Sequence, residues 1–274
     1  MENWENFEDN CFEYLRDKYQ SDEISIVKTG GLDSTMPDIM IMKNGQNIIN
    51  VETKSPKAQS GQFVLIEDSK NKKFCYSPKN KTRPNKYSDM ILEKMNDNYD
   101  KYSNVGTNGI TIDVTKDIIN NWIVSYYIEQ KKSEFIITEG EGFIIFPTIF
   151  FNEYFNATAI YRVKKSGSSN ATKEDMPIIK QLIEKNGIGV NEIRQDCKKV
   201  IASLSACNEK KFIIESEPKD FFFSLIDGND YYVTKLSNTK NANVIFSIEL
   251  YEVNQKKEHL YCFEAAIKNK TTLA

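Results

Sequence analysis

The stretch PDIMIMKNGQNIINVETK, residues 37–54, determines the interpretation of the whole chain. Two short apolar runs, DIMIM and NIINVET, flank KNGQ, and an Asn-Gly pair between such runs predicts a β-hairpin. Asp38 begins the first run, while Glu52 and Lys54 end the second. Burying three charges together costs several kcal/mol unless something compensates for it, and a bound metal ion is one such compensation.

The number of residues in the turn determines which face each charge occupies. A two-residue turn pairs Lys43 with Gln46 and leaves Asp38 on the opposite face from Glu52. A three-residue turn ending in a left-handed Gly45 changes the parity, so that Asp38 lies diagonally beside Glu52 on one face. We predict the three-residue turn, because only that parity gathers the charges.

The composition is that of a folded protein. With 274 residues, 40% of them hydrophobic and 27% charged, the chain can bury a sizeable core and is neither disordered nor fibrous. Five scattered cysteines form no CxxC pair, so we expect reduced thiols rather than disulfides or a zinc site. The amino terminus has no apolar segment, and the longest apolar run, FIIFPTIFF, is too short to span a membrane. We therefore expect a soluble, cytoplasmic protein with no membrane partner.

The sequence has one histidine, His259, which we interpret as a half-exposed strand residue in EHLYCF. A single histidine excludes histidine metal clusters and the HExxH motif, and it disfavours a Ser-His or Cys-His triad. Catalysis by this chain would therefore depend on carboxylates, lysines and metal.

The charges are segregated along the chain, although the net charge is only −3. Between residues 70 and 86 there are seven cations and no acid, with Phe74 and Tyr76 among them, and a second basic cluster lies in YRVKKSGSSN, residues 161–170. Basic clusters with aromatic neighbours suit contact with nucleic acid, whereas a solvated surface is the alternative for either cluster.

The apolar periodicities predict helices and strands, and the absence of a repeat or low-complexity linker favours one α/β domain with embellishments over residues 1–274 rather than two independent domains. Helical spacing marks residues 3–19, PNKYSDMILEKMNDNYDKY, DVTKDIINNWIVSYYIEQKK, EDMPIIKQLIEKN and NEIRQDCKKVIASLSA. Strand patterns mark EISIVKT, QFVLIEDSKNKKFCYS, EFIIT, GFIIFPTIFF, ATAIYRVKK and the aromatic runs after Phe221, with hairpins at DGN and NQKK.

A first helix, a strand, Pro37-Asp38, a hairpin and the motif Glu52-x-Lys54, in this order, resemble the PD-(D/E)xK nuclease superfamily. Asp38 and Glu52 are 14 positions apart, and the matching order extends to the helix and strand that end near Ile137. The resemblance implies a restriction-endonuclease-like α/β core over about residues 1–150, which is a central mixed β-sheet flanked by helices, and an activity that hydrolyses phosphodiester bonds. The additional α+β elements over about 151–274 would then serve DNA recognition and dimerisation.

By this resemblance Asp38 and Glu52 are metal ligands and the backbone carbonyl of Thr53 is a further ligand, for Mg²⁺ with Mn²⁺ as a substitute. Lys54 is the catalytic lysine. Its side chain leaves the same strand face as Glu52, where an ammonium group can position water or stabilise charge on the phosphate.

Two further assignments follow from the same resemblance. A glutamate of the first helix contacts metal-bound water in many such nucleases, and Glu8 is the match, with Glu13 as the second choice. In some of them a glutamine after the lysine strand contacts DNA, so we expect Gln59 or Gln62 to do so here.

Within the superfamily the chain is most similar to type II restriction endonucleases, because it has a comparable size, lacks helicase, P-loop and methyltransferase motifs, and carries much sequence beyond the core. The implied function is Mg²⁺-dependent, sequence-specific cleavage of double-stranded DNA in host defence, by a homodimer with one active site for each strand. A companion DNA methyltransferase is expected genetically. The residues expected to contact DNA are Gln59, Gln62, Lys79, Lys81, Arg83, Arg162, Lys164, Lys165, Ser168, Ser169 and Asn170.

Two alternatives stay open. A structure-selective or defence-associated nuclease of the same superfamily would share the site but cut at junctions or ends. A non-catalytic DNA-binding protein would keep the fold without cleavage, although the intact Asp38, Glu52 and Lys54 favour an enzyme.

Overall fold

The computed structural model describes residues 4–29, 36–106, 108–165, 168–205, 207–217, 219–236 and 240–269. The α-helices of these ranges are α1 (Trp4–Tyr19), α2 (Lys86–Asp97), α3 (Tyr99–Ser103), α4 (Lys116–Ser125), α5 (Met176–Lys185) and α6 (Lys257–Asn269). The first nine strands are β1 (Ile24–Lys28), β2 (Ile39–Lys43), β3 (Gln46–Thr53), β4 (Lys57–Asp68), β5 (Lys73–Tyr76), β6 (Ile110–Thr111), β7 (Phe135–Glu139), β8 (Phe143–Pro147) and β9 (Phe155–Lys165). The others are β10 (Ser168–Asn170), β11 (Gly189–Asp196), β12 (Lys199–Ser205), β13 (Lys211–Ile214), β14 (Phe221–Asp227), β15 (Asp230–Leu236) and β16 (Lys240–Leu250).

The chain divides into two compact units. Unit 1 comprises Met1–Arg162 and Ala242–Ala274, and unit 2 comprises Val163–Asn241. Both boundaries fall within strands, since unit 2 connects the end of β9 to the start of β16, and these two strands are neighbours in one sheet. Unit 2 is therefore an insertion between adjacent strands of unit 1.

The first sheet of unit 1 has the order β1-β2-β3-β7-β8. It is mixed, because β3 and β7 run parallel whereas the other neighbours are antiparallel. Helices α1 and α6 cover it with one apolar core, to which α1 contributes Phe7, Cys11 and Leu15 and α6 contributes Phe263 and Ile267. The apolar stripe of α1 thus packs on the hairpin, as amphipathic helices do on half-buried sheets.

The second sheet of unit 1 has the order β5-β4-β16-β9-β6. The α4 side chain Trp122 stacks on Phe246 of β16, with ring centroids 3.8 Å apart, and lies beside Phe63 of β4. Helix α4 is followed directly by a π-helical turn, Tyr126–Gln130, and then by β7. Helix α4 therefore joins the packing of the second sheet to the strand beside the β2–β3 hairpin.

Unit 2 has its own sheet, with the order β11-β12-β15-β14-β13 and with β10 paired to β15. Helix α5 packs against it through Ile179 and Ile183, which are fully buried with Val200, Phe223 and Val233. Unit 2 therefore has a hydrophobic core made of its own residues. Across the described parts of both units, no helix has the length and apolar composition of a membrane span.

Most predicted elements are present. The mixed α/β fold, the first helix, the β4–β5 hairpin, the strands β7, β8 and β9, helix α5 and the hairpin at DGN are confirmed. The helix after Pro84 begins at Lys86 with Asn85 as its N-cap, and it ends at Asp97, so the predicted long helix is α2 and the short α3.

Two predicted elements are wrong. NEIRQDCKKVIASLSA is not a helix but the β11–β12 hairpin, in which Val200, Ala202 and Leu204 point to the core at the spacing of two that strands require. The segment with NQKK is not a hairpin, since residues 257–269 form α6, and His259 is buried in that helix rather than half exposed in a strand. The Tyr154 hydroxyl and the His259 Nδ1 atom are 2.8 Å apart, which gives the imidazole a structural partner.

Candidate active site

The β2–β3 turn has two residues rather than the predicted three. Lys43 pairs with Gln46, and both turn residues are left-handed, with φ of 50° at Asn44 and 79° at Gly45. This is the combination that a tight hairpin turn favours, because it matches the right-handed twist of the strands. The prediction of a three-residue turn is wrong for this reason.

A β-bulge nevertheless produces the parity that was predicted. The ladder shifts by one residue at Ile48, and beyond this bulge Ile39 pairs with Val51. The same register continued by one position brings Asp38 opposite Glu52. The structure therefore gathers the two carboxylates at one end of the hairpin, through a bulge instead of a longer turn.

Asp38 is held by Thr53 on one oxygen and faces an ammonium with the other. The Thr53 N–H and hydroxyl donate to Oδ2 at 2.9 and 3.0 Å, and Lys131 Nζ lies 3.4 Å from Oδ1. Burial raises the pKa of the Asp38 carboxyl, but the Lys54 and Lys131 ammonium groups and the Thr53 hydrogen bonds outweigh burial and hold it below its ordinary range. Asp38 is thus a fixed, ionised carboxylate.

Glu52 lies between two ammonium groups and is only 1% exposed. Its Oε1 atom is 2.8 Å from Lys54 Nζ, and Lys131 Nζ lies 2.6 Å from each of its carboxylate oxygens. Burial raises the pKa of the Glu52 carboxyl, Lys54 opposes this shift, and the negative charge of Asp38 adds to it. The four groups Asp38, Glu52, Lys54 and Lys131 have a formal charge of zero.

Lys54 lies over an aromatic ring beside Glu52. Its Nζ atom is 5.5 Å from the centroid of the Tyr127 ring, whose hydroxyl is hydrogen-bonded to Ser60 of β4. Burial lowers the pKa of the Lys54 ammonium, yet the charge of Glu52 and the further effects of Tyr127 and Asp38 raise it well above its ordinary value. The lysine is therefore a cation held in a fixed direction.

The oxygens of this cluster suit a hard divalent cation. Glu52 Oε2 is buried and, apart from its ion pair with Lys131, has no hydrogen-bond partner among the described residues. Within those residues no group of three or more His, Cys, Asp or Glu side chains converges to hold a metal ion. A cation here would use two carboxylates and backbone oxygen, a set that fits Mg²⁺ or Mn²⁺ better than zinc.

Glu8 of α1 lies within electrostatic reach of the cluster. Burial raises the pKa of the Glu8 carboxyl, the charge of Asp38 raises it further, and Lys28, whose Nζ lies 3.9 Å from the carboxylate, opposes the shift. The second choice, Glu13, is exposed and pairs with Arg16 on the helix surface. Of the two, Glu8 is the glutamate that the structure brings to the cluster.

Gln59 and Gln62 lie on one exposed side of β4. Residues three apart in a regular strand point to opposite faces, but a bulge opposite Phe246 and the positive φ of Gly61, 108°, bring these two side chains together. Their amides are 3.3 Å apart, from Gln59 Nε2 to Gln62 Oε1. A side chain at Gly61 would clash with Trp122, since an added Cβ would lie 2.8 Å from its ring.

The other predicted DNA contacts lie on both units. Lys79, Lys81 and Arg83 are exposed in the segment between β5 and α2 of unit 1, and Arg162 is half-buried at the end of unit 1. In unit 2, Ser169 is exposed, as is Asn170, whose amide bonds to the Lys198 carbonyl and the Tyr232 hydroxyl. The side chains of Lys164, Lys165 and Ser168 lie outside the described residues.

Lys131 and Tyr127 are the site residues that sequence reasoning missed. Both follow α4, and Lys131 is 79 positions from Glu52 in the chain. The sequence offers a weak signal in hindsight, since a buried pair of carboxylates requires nearly equal positive charge and Lys54 supplies only one cation.

The mixed sheet flanked by helices, with the hairpin presenting its carboxylates at one end, defines the restriction-endonuclease-like α/β fold. A solved structure of HhaI endonuclease in complex with DNA is similar over 97% of this chain and 99% of that chain, with 37% sequence identity and a TM-score of 0.76. The chain therefore belongs to the HhaI endonuclease family. No protein-family model and no curated protein sequence matches it.

Proposed function

We propose that the protein is a Mg²⁺-dependent, sequence-specific endonuclease that hydrolyses phosphodiester bonds in double-stranded DNA, a type II restriction enzyme with a PD-(D/E)xK site. The observation that carries this proposal is the buried cluster of Asp38, Glu52 and Lys54, in a chain that is 37% identical to HhaI endonuclease, itself solved with DNA. We further propose a cytoplasmic homodimer, with Mn²⁺ as a substitute ion and a companion methyltransferase encoded separately.

The residues of the cluster have distinct roles in this proposal. Asp38, Glu52 and the Thr53 carbonyl would hold the cation, which supplies Lewis acidity and activates water when bound. Thr53 also fixes the orientation of Asp38 through its N–H and hydroxyl. The Lys54 ammonium, held between Glu52 and the Tyr127 ring, positions the attacking water or stabilises charge on the phosphate.

DNA binding is proposed to use groups that face solvent. The adjacent amides of Gln59 and Gln62 offer donors and acceptors on the exposed side of β4, and exposed Lys79, Lys81 and Arg83 suit phosphates. The same proposal assigns base and phosphate contacts to Arg162, Lys164, Lys165, Ser168, Ser169 and Asn170.

A second candidate is a DNA-binding protein that has this fold without catalysis. One observation favours it, because Lys131 and Lys54 already balance the two carboxylates and the buried cluster requires no added cation. A structure-selective or defence nuclease of the same superfamily remains the alternative within enzymes.

Digestion of unmethylated plasmid and phage DNA, in Mg²⁺ and in EDTA, tests the proposal. We expect discrete bands that require Mg²⁺ and a loss of rate of about 100-fold or more in Glu52→Ala and Lys54→Ala. Lys57→Ala is the matched control, because this lysine lies three residues beyond Lys54 but its side chain is 82% exposed. Tight, salt-sensitive DNA binding without cleavage would instead establish the second candidate, and cutting only at junctions or ends the alternative nuclease.

A further inference from the structure

Lys131 is a buried lysine to which the proposed reaction gives no role. It is 6% exposed, and its Nζ atom lies 2.6 Å from both oxygens of Glu52 and 3.4 Å from Asp38 Oδ1. The ammonium therefore contacts both carboxylates to which a cation is assigned, and it stands directly in front of the Glu52 carboxylate.

The backbone around Lys131 is fixed on both sides. The π-helical turn before it ends with the Lys131 N–H donating to the Tyr126 carbonyl, and the Ser133 N–H donates to the Tyr127 carbonyl at 2.9 Å. Asn50 of β3 donates to the Lys132 carbonyl at 2.9 Å. Single π-helical turns are uncommon and often occur at functional sites, and this one aims Tyr127 and Lys131, four residues apart, at the same cluster.

A divalent cation and the Lys131 ammonium require the same oxygens. Mg²⁺ binds carboxylate oxygen at about 2.1 Å, and an ammonium at hydrogen-bonding distance from both oxygens of Glu52 lies within a few ångströms of any ion on that carboxylate. Like charges at such distances in a buried site repel strongly. With the ion added and both lysines in place, the neutral cluster would also gain two uncompensated charges.

We propose that Lys131 is a resident counter-ion that holds the metal-free site together and is displaced from Glu52 when a divalent cation binds. This inference rests on the proposed function, since it assigns the cation to Asp38 and Glu52. Lys131 is a positioning residue in this account. Lys131 keeps the two carboxylates buried and oriented before a divalent cation binds, and its displacement frees the Glu52 oxygens for that cation.

Acetylation of the wild-type protein without DNA, with peptides analysed by mass spectrometry, tests the displacement directly. In EDTA the Lys131 amine is buried and should react slowly, and saturating Mn²⁺ should raise its acetylation rate at least about tenfold. Lys132 is the internal control, because it is exposed and its side chain lies outside the cluster, so its rate should not change. An unchanged Lys131 rate at saturating Mn²⁺ would overturn the inference.

Counting free Mn²⁺ by electron paramagnetic resonance tests the competition. We expect Lys131→Met to bind Mn²⁺ about tenfold tighter or more, with Lys132→Met equal to wild type.

The Glu52→Ala variant distinguishes failure of the counter-ion inference from failure of the proposed function. If wild type binds Mn²⁺ through Glu52 but Lys131→Met binds no tighter, only the counter-ion inference fails. If no Mn²⁺ binding depends on Glu52, the proposed function fails with it. Should Lys131→Met not fold, the acetylation result on wild type decides.

Discussion

At the scale of single residues, the stability of the site depends on the balance between its buried carboxylates and ammonium groups. Two carboxylates, Asp38 and Glu52, are buried against two ammonium groups, and removing one partner from such a set leaves an uncompensated charge, which is strongly destabilising. A fifth group, Glu8, adds negative charge from α1 and is only partly neutralised by Lys28. The site therefore has an excess of negative charge on the α1 side.

Glu8→Gln should stabilise the protein at pH values above those at which carboxyl groups ordinarily titrate, and should not stabilise it at lower pH. Burial and the charge of Asp38 raise the folded pKa of Glu8 above its ordinary value, so ionising this group weakens the folded state. This loss of stability is absent at pH values below the pKa of Glu8 in the unfolded chain, and it is complete above the pKa of Glu8 in the folded protein. In EDTA we expect the Tm of Glu8→Gln to exceed that of wild type by about 1–3 °C at pH 8, with the gain vanishing near pH 4.

Glu13→Gln is the matched control for that measurement. It lies on the same helix, but it is exposed and paired with Arg16, so no comparable gain at pH 8 is expected. Equal Tm values for wild type and Glu8→Gln across the pH range would contradict the burial of Glu8 beside Asp38.

The site could be predicted from the sequence only where its residues are local. Asp38, Glu52 and Lys54 belong to one hairpin, so strand parity places them together once both the turn and the bulge at Ile48 are known. Lys131 comes from a distant loop, fixed by the parallel pairing of β3 with β7 and by a π-helical turn. Apolar periodicity does not reveal where a helix changes from α to π geometry. From the sequence, Lys131 therefore resembles an ordinary basic residue at the carboxyl end of a helix.

At the scale of elements, the β2–β3 hairpin depends on its turn. Gly45 has a φ of 79°, and an added Cβ would meet nothing within 4 Å, so Gly45→Ala introduces backbone strain alone. We expect the free energy of unfolding to fall by about 1 kcal/mol in Gly45→Ala. Urea titration followed by tryptophan fluorescence measures this change, because buried Trp122 reports on unit 1.

Gly142→Ala provides the comparison for the turn. An added Cβ there also meets nothing within 4 Å, and Gly142 lacks a positive φ, so little change is expected. Equal losses in both variants would show that the left-handed turn is not the source of the effect.

The errors in element prediction have a common physical origin. In residues 191–206 the spacing of the isolated apolar residues is compatible with both a helix and a strand. The chain forms a hairpin there because it turns at Cys197, which has a left-handed φ of 53°. At NQKK the charged run resembled a turn, whereas tertiary packing of Phe263 and Ile267 on the first sheet stabilises helix α6. Local sequence patterns therefore predicted where regular secondary structure occurs, but not always whether it is a helix or a strand.

At the scale of the whole molecule, each of the two units has a hydrophobic core of its own. The core around α1 and α6 consists of unit 1 residues, and the core around α5 consists of unit 2 residues. The candidate active site lies entirely in unit 1. We therefore predict that unit 2 contributes to DNA recognition and that unit 1 carries the chemistry.

Replacing residues 166–239 by a short Gly-Ser linker tests this division. Because β9 and β16 are neighbouring strands, joining them should leave unit 1 with one cooperative unfolding transition, measured by circular dichroism. We expect the variant to keep Mg²⁺-dependent nicking of DNA but to give a smear instead of discrete bands. Retention of the wild-type bands would contradict a role for unit 2 in recognition.

The bulge at Ile48 also bears on how related genes are recognised. In a regular hairpin with a two-residue turn, the aspartate and glutamate face each other only when the interval between them is odd, whereas the bulged strand here achieves the same alignment with an interval of 14. Loss of one codon from the bulge would thus leave both carboxylates aligned. A motif search that demands one fixed interval would overlook homologues that merely lack this extra residue, so the interval should be allowed to vary by one.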